Sequence, residues 1–130
     1  MWAVLRELRP AFDSLEGFTA ELVRLRDEQG YRLVGSLEGE TLAAVAGFRT
    51  ARNLAWGLHL YVDDLVTCEG YRRRGHAGRL LGWLEAEARR LGCRELHLDS
   101  RLVRTEAHAF YAAAGLEQAA LHFRTTSPGR

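Results

Sequence analysis

Read from its start, the chain changes hydrophobic period several times, and each change marks a predicted element. Leu15, Phe18, Leu22 and Leu25 recur at helical spacing with Gly30 as a stop, so the opening segment is expected to form two short helices broken at Pro10. Tyr31 to Leu37 and Thr41 to Phe48 read as a hairpin turned at Glu38-Gly39-Glu40, and a long strand is predicted from Trp56 to Thr67. That strand contains a conflict. Trp56, Leu58, Leu60 and Val62 form one apolar row, and extending the row puts Asp64 among apolar partners. Either a bulge shifts the phase or an acid is buried.

The clearest helical stripe follows Gly75: Ala77, Leu80, Leu81, Leu84, Ala88 and Leu91 share one face, and Gly92 closes it. Leu96 to Asp99 reads as a short strand. Thr105 is expected to N-cap a helix running to Ala114, and Glu117 to Thr126 reads as a last strand before a frayed SPGR tail. The sum is an α/β chain of the α+β type: a mixed, mostly antiparallel central sheet flanked by helices, with one strand-helix-strand crossover in its second half.

Composition narrows the chemistry. A length of 130 residues suits one domain, residues 1 to 130, and 47% hydrophobic against 27% charged residues is a globular balance. The formal net charge of +1 gives no reason to expect nucleic-acid or membrane binding through overall charge, so any anion site must be local. All 18 basic residues are arginine, which excludes lysine Schiff-base chemistry. Cys68 and Cys93 stand outside any CxxC pair and read as free thiols of a reducing compartment, so a cytoplasmic location is expected. Neither a signal-peptide run nor an apolar stretch of membrane-spanning length is present in the sequence given.

One local concentration of charge stands out in EGYRRRGHAGRLL, where Arg72, Arg73, Arg74 and Arg79 surround the predicted start of a helix. A helix N-terminus is already electropositive and carries free backbone N–H groups, so such a cluster calls for an anionic partner, and a polyphosphate would supply one. Two nucleotide motifs fail here. Gly70 and Gly75 have P-loop spacing, but His76 and Ala77 stand where Lys and Ser/Thr are needed, and no GxGxxG occurs.

The segment Arg72-Arg73-Arg74-Gly75-His76-Ala77 resembles the acetyl-CoA signature of the GCN5-related N-acetyltransferases: Arg or Gln, two variable residues, Gly, a variable residue, then Gly or Ala. The context DDLVTCEGYRRRGHAGRLL, with GCRELHLDS and EAHAFYAAAGL further on, is similar to the family's strand, loop and helix and to its terminal aromatic turn. The resemblance implies acetyl-CoA as co-substrate and no metal. Its pyrophosphate would be cradled by the backbone amides from Arg73 through Arg74, Gly75, His76, Ala77 and Gly78 to Arg79 and by the arginine side chains, Arg72 included, and its pantetheine arm would run along Leu65, Val66 and Thr67, one of whose amides polarises the thioester carbonyl. It also implies a splayed, bulged strand there. The family's first strand is missing from the sequence pattern, and Arg104 stands where an asparagine is common.

Acetyl transfer to a primary amine needs the amine neutral and the leaving thiolate protonated, since an alkyl ammonium has a pKa of about 10. The resemblance makes Tyr111 the acid, matching the family tyrosine near the thioester sulfur. Two carboxylates compete for the base. Asp99 lies at the carboxyl edge of a strand, where open α/β sheets bind ligands, and Asp64 is the rival that its phase would desolvate. His97 and Asp99 share a strand face but are too few for a metal site, and Cys68 lacks the neighbours of a catalytic cysteine. His108, three residues before Tyr111, is a candidate for lining the acceptor pocket. The expected activity is direct N-acetylation in a ternary complex, with a small-molecule or peptide amine as acceptor and no nucleic-acid or membrane partner; a homodimer is compatible with it. The alternative is a non-catalytic module that binds CoA or RNA phosphates.

Overall fold

The computed structural model describes residues 14–100 and 104–126, and these divide into two compact units between Leu98 and Asp99. The expected helix break at Pro10 and the question of a first strand lie outside the described residues.

In the larger unit, helix α1 spans Leu15–Gln29, opened by Ser14, whose hydroxyl accepts from the Gly17 N–H at 3.1 Å, and closed at Gly30. Strands β1 (Arg32–Glu38), β2 (Thr41–Asn53) and β3 (Gly57–Thr67) follow as an antiparallel meander. A single turn of 3₁₀ helix at Glu69–Tyr71 leads to helix α2 (His76–Arg90), which carries the chain over to β4 (Glu95–Leu98), parallel to β3. The strand order is β1-β2-β3-β4, the crossover arrangement expected from the sequence.

Each face of the sheet buries its own cluster. Ala44, Ala46, Phe48, Leu60 and Val62 pack against Leu80, Leu84 and Ala88 of α2, while Val45 and Val66 pack against Phe18 of α1. The division explains the phase conflict in β3. The register between β2 and β3 slips so that Gly47 faces Asp64 while Phe48 faces Val62, leaving Asp63 as the extra residue of a β-bulge. Before the bulge Leu60 and Val62 point to α2; beyond it Leu65 takes over that face, and Asp64 and Val66 turn to the α1 side. Of the two alternatives the bulge is the one observed.

The smaller unit holds helix α3 (Thr105–Ala113). Two expectations are corrected in it. Arg104 occupies the cap position without a side-chain bond, and Thr105 is already helical. Residues 117 to 126 form no strand; Leu121 and Phe123 are 61% and 85% exposed, and alternating polarity without a buried face does not fix a ladder.

Candidate active site

The sheet opens at the stretch of β3 where the resemblance implies the pantetheine arm. β4 has four residues and pairs with β3 only from His59 to Val62, so beyond the bulge β3 keeps β2 on one side and, among the described residues, no strand on the other. Leu65, Val66 and Thr67 lie on this stretch, with Ala46, Val45 and Ala44 as their partners in β2. A one-sided strand presents backbone N–H and C=O groups that an extended ligand can pair with.

Directly after β3 the chain enters the arginine loop. Arg72 points its Nε back to the Thr67 carbonyl at 3.4 Å, and Arg73 adopts φ +65°, a left-handed conformation uncommon outside glycine. Gly75, at φ +85°, occupies the cap position of α2 without any side-chain bond to the helix. The first intrahelical bond near it runs from the Arg79 N–H to the Gly75 carbonyl at 3.0 Å, so the amides of the preceding turn keep the orphan donors of any helix start. Gly75, Gly78, Arg72, Arg73, Arg74 and Arg79 are all exposed, and Ala77 is half-buried. The residues present therefore fit an oxygen-rich anion: helix-start amides, small residues and four arginines lie on and beside one turn.

His76 departs from that picture. The residue is 1% exposed and its side chain turns inward, with Nδ1 2.8 Å from the Ser36 hydroxyl and Nε2 3.2 Å from Glu38 Oε1. Arg74 is ion-paired to the other Glu38 oxygen and lies over the Tyr71 ring. Burial alone would raise the Glu38 carboxyl, but hydrogen bonds from His76 and Arg74 outweigh it and hold the group below the usual carboxylate range. Part of the loop's charge is thus answered by the end of the β1–β2 hairpin, a partner that the local sequence did not reveal.

The two candidate bases have different surroundings. Asp64 is half-buried and accepts a hydrogen bond from the Tyr31 hydroxyl at 2.5 Å. Tyr31 reaches it by lying across Gly47, the residue opposite Asp64 in β2; a Cβ there would collide with the phenol. The bulged residue, Asp63, pairs with Arg49 at 2.9 Å. Asp99 belongs to the smaller unit, is exposed, and faces His122 Nδ1 at 3.5 Å. Tyr111, also in that unit, is half-buried on α3 beside Phe110; burial pushes its hydroxyl above the ordinary phenol range, against the opposing charge of Arg104. His108 is half-buried on the same helix.

His97 stacks on Trp56 at 3.6 Å and bonds Glu95 at 2.6 Å. Cys68 bonds weakly to the Leu42 carbonyl, and burial raises the thiol of Cys93. Among the described residues no helix is long and apolar enough to cross a membrane, and no group of three or more His, Cys, Asp or Glu could hold a metal ion.

Comparison with known proteins points the same way. The acetyltransferase (GNAT) family model matches residues 1–116. An uncharacterized N-acetyltransferase of Bacillus subtilis is 30% identical over 110 residues, 85% of this chain and 77% of that protein. Among solved structures, a Trypanosoma brucei acetyltransferase superposes with a TM-score of 0.77 at 20% identity, over 95% of this chain and 87% of the other. An aminoglycoside N-acetyltransferase in complex with CoA superposes with a TM-score of 0.79 at 14% identity, over 96% and 86% of the two chains. These likenesses below 25% identity concern the fold.

Proposed function

The chain belongs to the acetyltransferase (GNAT) family and is an acyltransferase, and from that premise we propose that residues 1 to 130 act as one catalytic domain moving the acetyl group of acetyl-CoA to a primary amine by direct attack. The observation that carries this reading is the succession of a bulged strand with one side unpaired among the described residues, the arginine loop, and a helix start without a side-chain cap. The donor supplies the activated thioester; the rest is the work of this chain's residues.

In this reading the amides at the start of α2, with Arg72 and its neighbours, bind the pyrophosphate, and Leu65 to Thr67 hold the extended arm through their backbone. A fixed backbone N–H on that strand stabilises negative charge developing on the acetyl oxygen and needs no reorganisation during reaction. Asp64, next to Leu65 and held by Tyr31, is better supported as the base than Asp99, which is exposed and turned to His122. It takes the proton of the attacking amine, directly or through water, a role worth about a hundredfold or more in rate. Tyr111 supplies the proton for the departing sulfur. Its hydroxyl, protonated at neutral pH even at the ordinary phenol pKa of about 10, is moved further that way by burial.

The acceptor proposed is a small-molecule amine. The CoA complex of the aminoglycoside enzyme supports the donor through shared fold alone. Calorimetric titration with acetyl-CoA, with ATP and a short RNA as controls, tests the reading, followed by thiol release with a panel of primary amines. Micromolar binding of acetyl-CoA alone is expected. Salt-dependent RNA binding in its place would favour a phosphate-binding module without catalysis.

A further inference from the structure

We propose that Glu38, His76 and Arg79 form a hydrogen-bonded relay that aims Arg79 across the start of α2, with the His76 imidazole serving as a neutral acceptor and not as a phosphate ligand. The inference rests on the acetyl-CoA reading above and deepens it by assigning separate tasks within the loop.

Three observations carry it. First, the side chain of His76 is 0% exposed, so a ligand outside the loop cannot reach it. Second, Arg79 Nη2 lies 2.8 Å from His76 Nδ1. A guanidinium nitrogen has only hydrogens to offer, so Nδ1 must be the unprotonated, accepting nitrogen. The ring proton then sits on Nε2, where Glu38 Oε1 at 3.2 Å accepts it. Ser36, whose hydroxyl is 2.8 Å from Nδ1, shares the acceptor and completes the pocket around the ring. Third, Arg79 Nη1 lies 3.6 Å from where a Cβ on Gly75 would stand, so the guanidinium is folded back over the cap residue and its open amides.

The consequence is a division of labour. Arg74 is committed to Glu38 and keeps that carboxylate in place. Glu38 fixes the His76 tautomer, and His76 holds Arg79 in position before any ligand arrives. A long side chain already held in its binding conformation loses less freedom when the anion comes, so the relay raises donor affinity without touching the reacting atoms. His76 is accordingly a positioning residue.

The test is calorimetric titration of the full chain with acetyl-CoA, alongside kcat and KM. His76→Leu removes the acceptor; His76→Asn puts an amide oxygen close to the place of Nδ1 and can still accept from Arg79. His76→Leu is expected to weaken acetyl-CoA binding roughly tenfold with kcat little changed, as for loss of one charge-assisted hydrogen bond. His76→Asn should restore most of the affinity, and His76→Leu should add nothing in an Arg79→Ala background. Should burial of leucine prevent folding, Arg79→Ala keeps the proposal open to refutation, because Arg79 is on the surface and its loss should cost the same tenfold. Wild-type affinity in Arg79→Ala, or independent, multiplying losses in the double variant, would overturn the relay. Failure of the wild-type protein to bind acetyl-CoA would instead overturn the donor reading, and the ligand proposed for the relay with it.

Discussion

At the residue scale, the contrast between Asp64 and Asp99 shows what periodicity can and cannot say. The alternation in β3 identified Asp64 as anomalous, and the bulge at Asp63 is the physical resolution. No periodic signal indicated Tyr31, because its hydroxyl meets Asp64 from 33 positions away, through a notch left by the missing side chain of Gly47. If Asp64 is the base and Tyr31 holds it, Asp64→Asn should lower kcat about a hundredfold. Tyr31→Phe, which keeps the ring and loses the hydroxyl, should lower kcat by a smaller factor, and adding it to Asp64→Asn should cost little more, since both act through one carboxylate. Steady-state kinetics of the three variants would show this; a full rate in Asp64→Asn would remove the base from this strand. Tyr111→Phe is argued likewise. Turnover should fall by about a hundredfold or more while calorimetric affinity for acetyl-CoA is little changed, and equal losses in both would remove Tyr111 as the acid.

At the scale of elements, most of the larger unit was legible because its signals are local. The stripe from Leu80 to Ala88, the hairpin turn at Gly39 and the stop at Gly30 each depend on residues within a few positions. The arginine loop was legible for the same reason, but the side-chain direction of His76 was not. Its ring is held by Ser36 and Glu38, 40 and 38 positions earlier, so a residue that reads as part of a phosphate turn is also a buried polar anchor. The last predicted strand fails for the opposite reason: alternation exists, but Leu121 and Phe123 are exposed. Two glycines carry the element-scale predictions. Gly75→Glu places a side chain at φ +85° and a negative charge where phosphate is proposed to bind, so acetyl-CoA affinity should collapse while the far-UV spectrum is retained; unchanged affinity would rule out this turn as the pyrophosphate site. Gly47→Ala drives a methyl into the Tyr31 phenol and should cost about 1–3 kcal/mol in urea unfolding, with kcat falling as Asp64 loses its partner.

At the scale of the larger unit as a whole, what ties the site's two sources together is the attachment of α2 to the sheet. Apolar packing through Leu80, Leu84 and Ala88 supplies most of it, and one ionic clasp is added at the far end of the helix. Glu87, 7% exposed, receives Arg90 from its own helix at 2.6 and 2.7 Å and Arg32 from β1 at 2.6 Å. Hydrogen bonds from Arg90 and then Arg32 depress the Glu87 carboxyl to about 2, from 4.5. A carboxyl with a folded pKa below its unfolded one binds fewer protons in the folded state. Its stabilisation is therefore complete above pH 4.5 and is lost as pH falls from there toward about 2. Glu87→Gln keeps the shape and loses the charge, so it should be less stable than wild type at neutral pH, with the gap closing across that acid window. Thermal melts of both proteins between neutral pH and pH 2 measure the gap directly. Curves that stay parallel throughout would mean that the clasp contributes by packing alone and that β1 does not hold α2 through charge. The far end of α2 is remote in sequence from His76, so acetyl-CoA affinity at neutral pH should be the same in Glu87→Gln as in wild type, which separates the helix's attachment from its proposed anion-binding end.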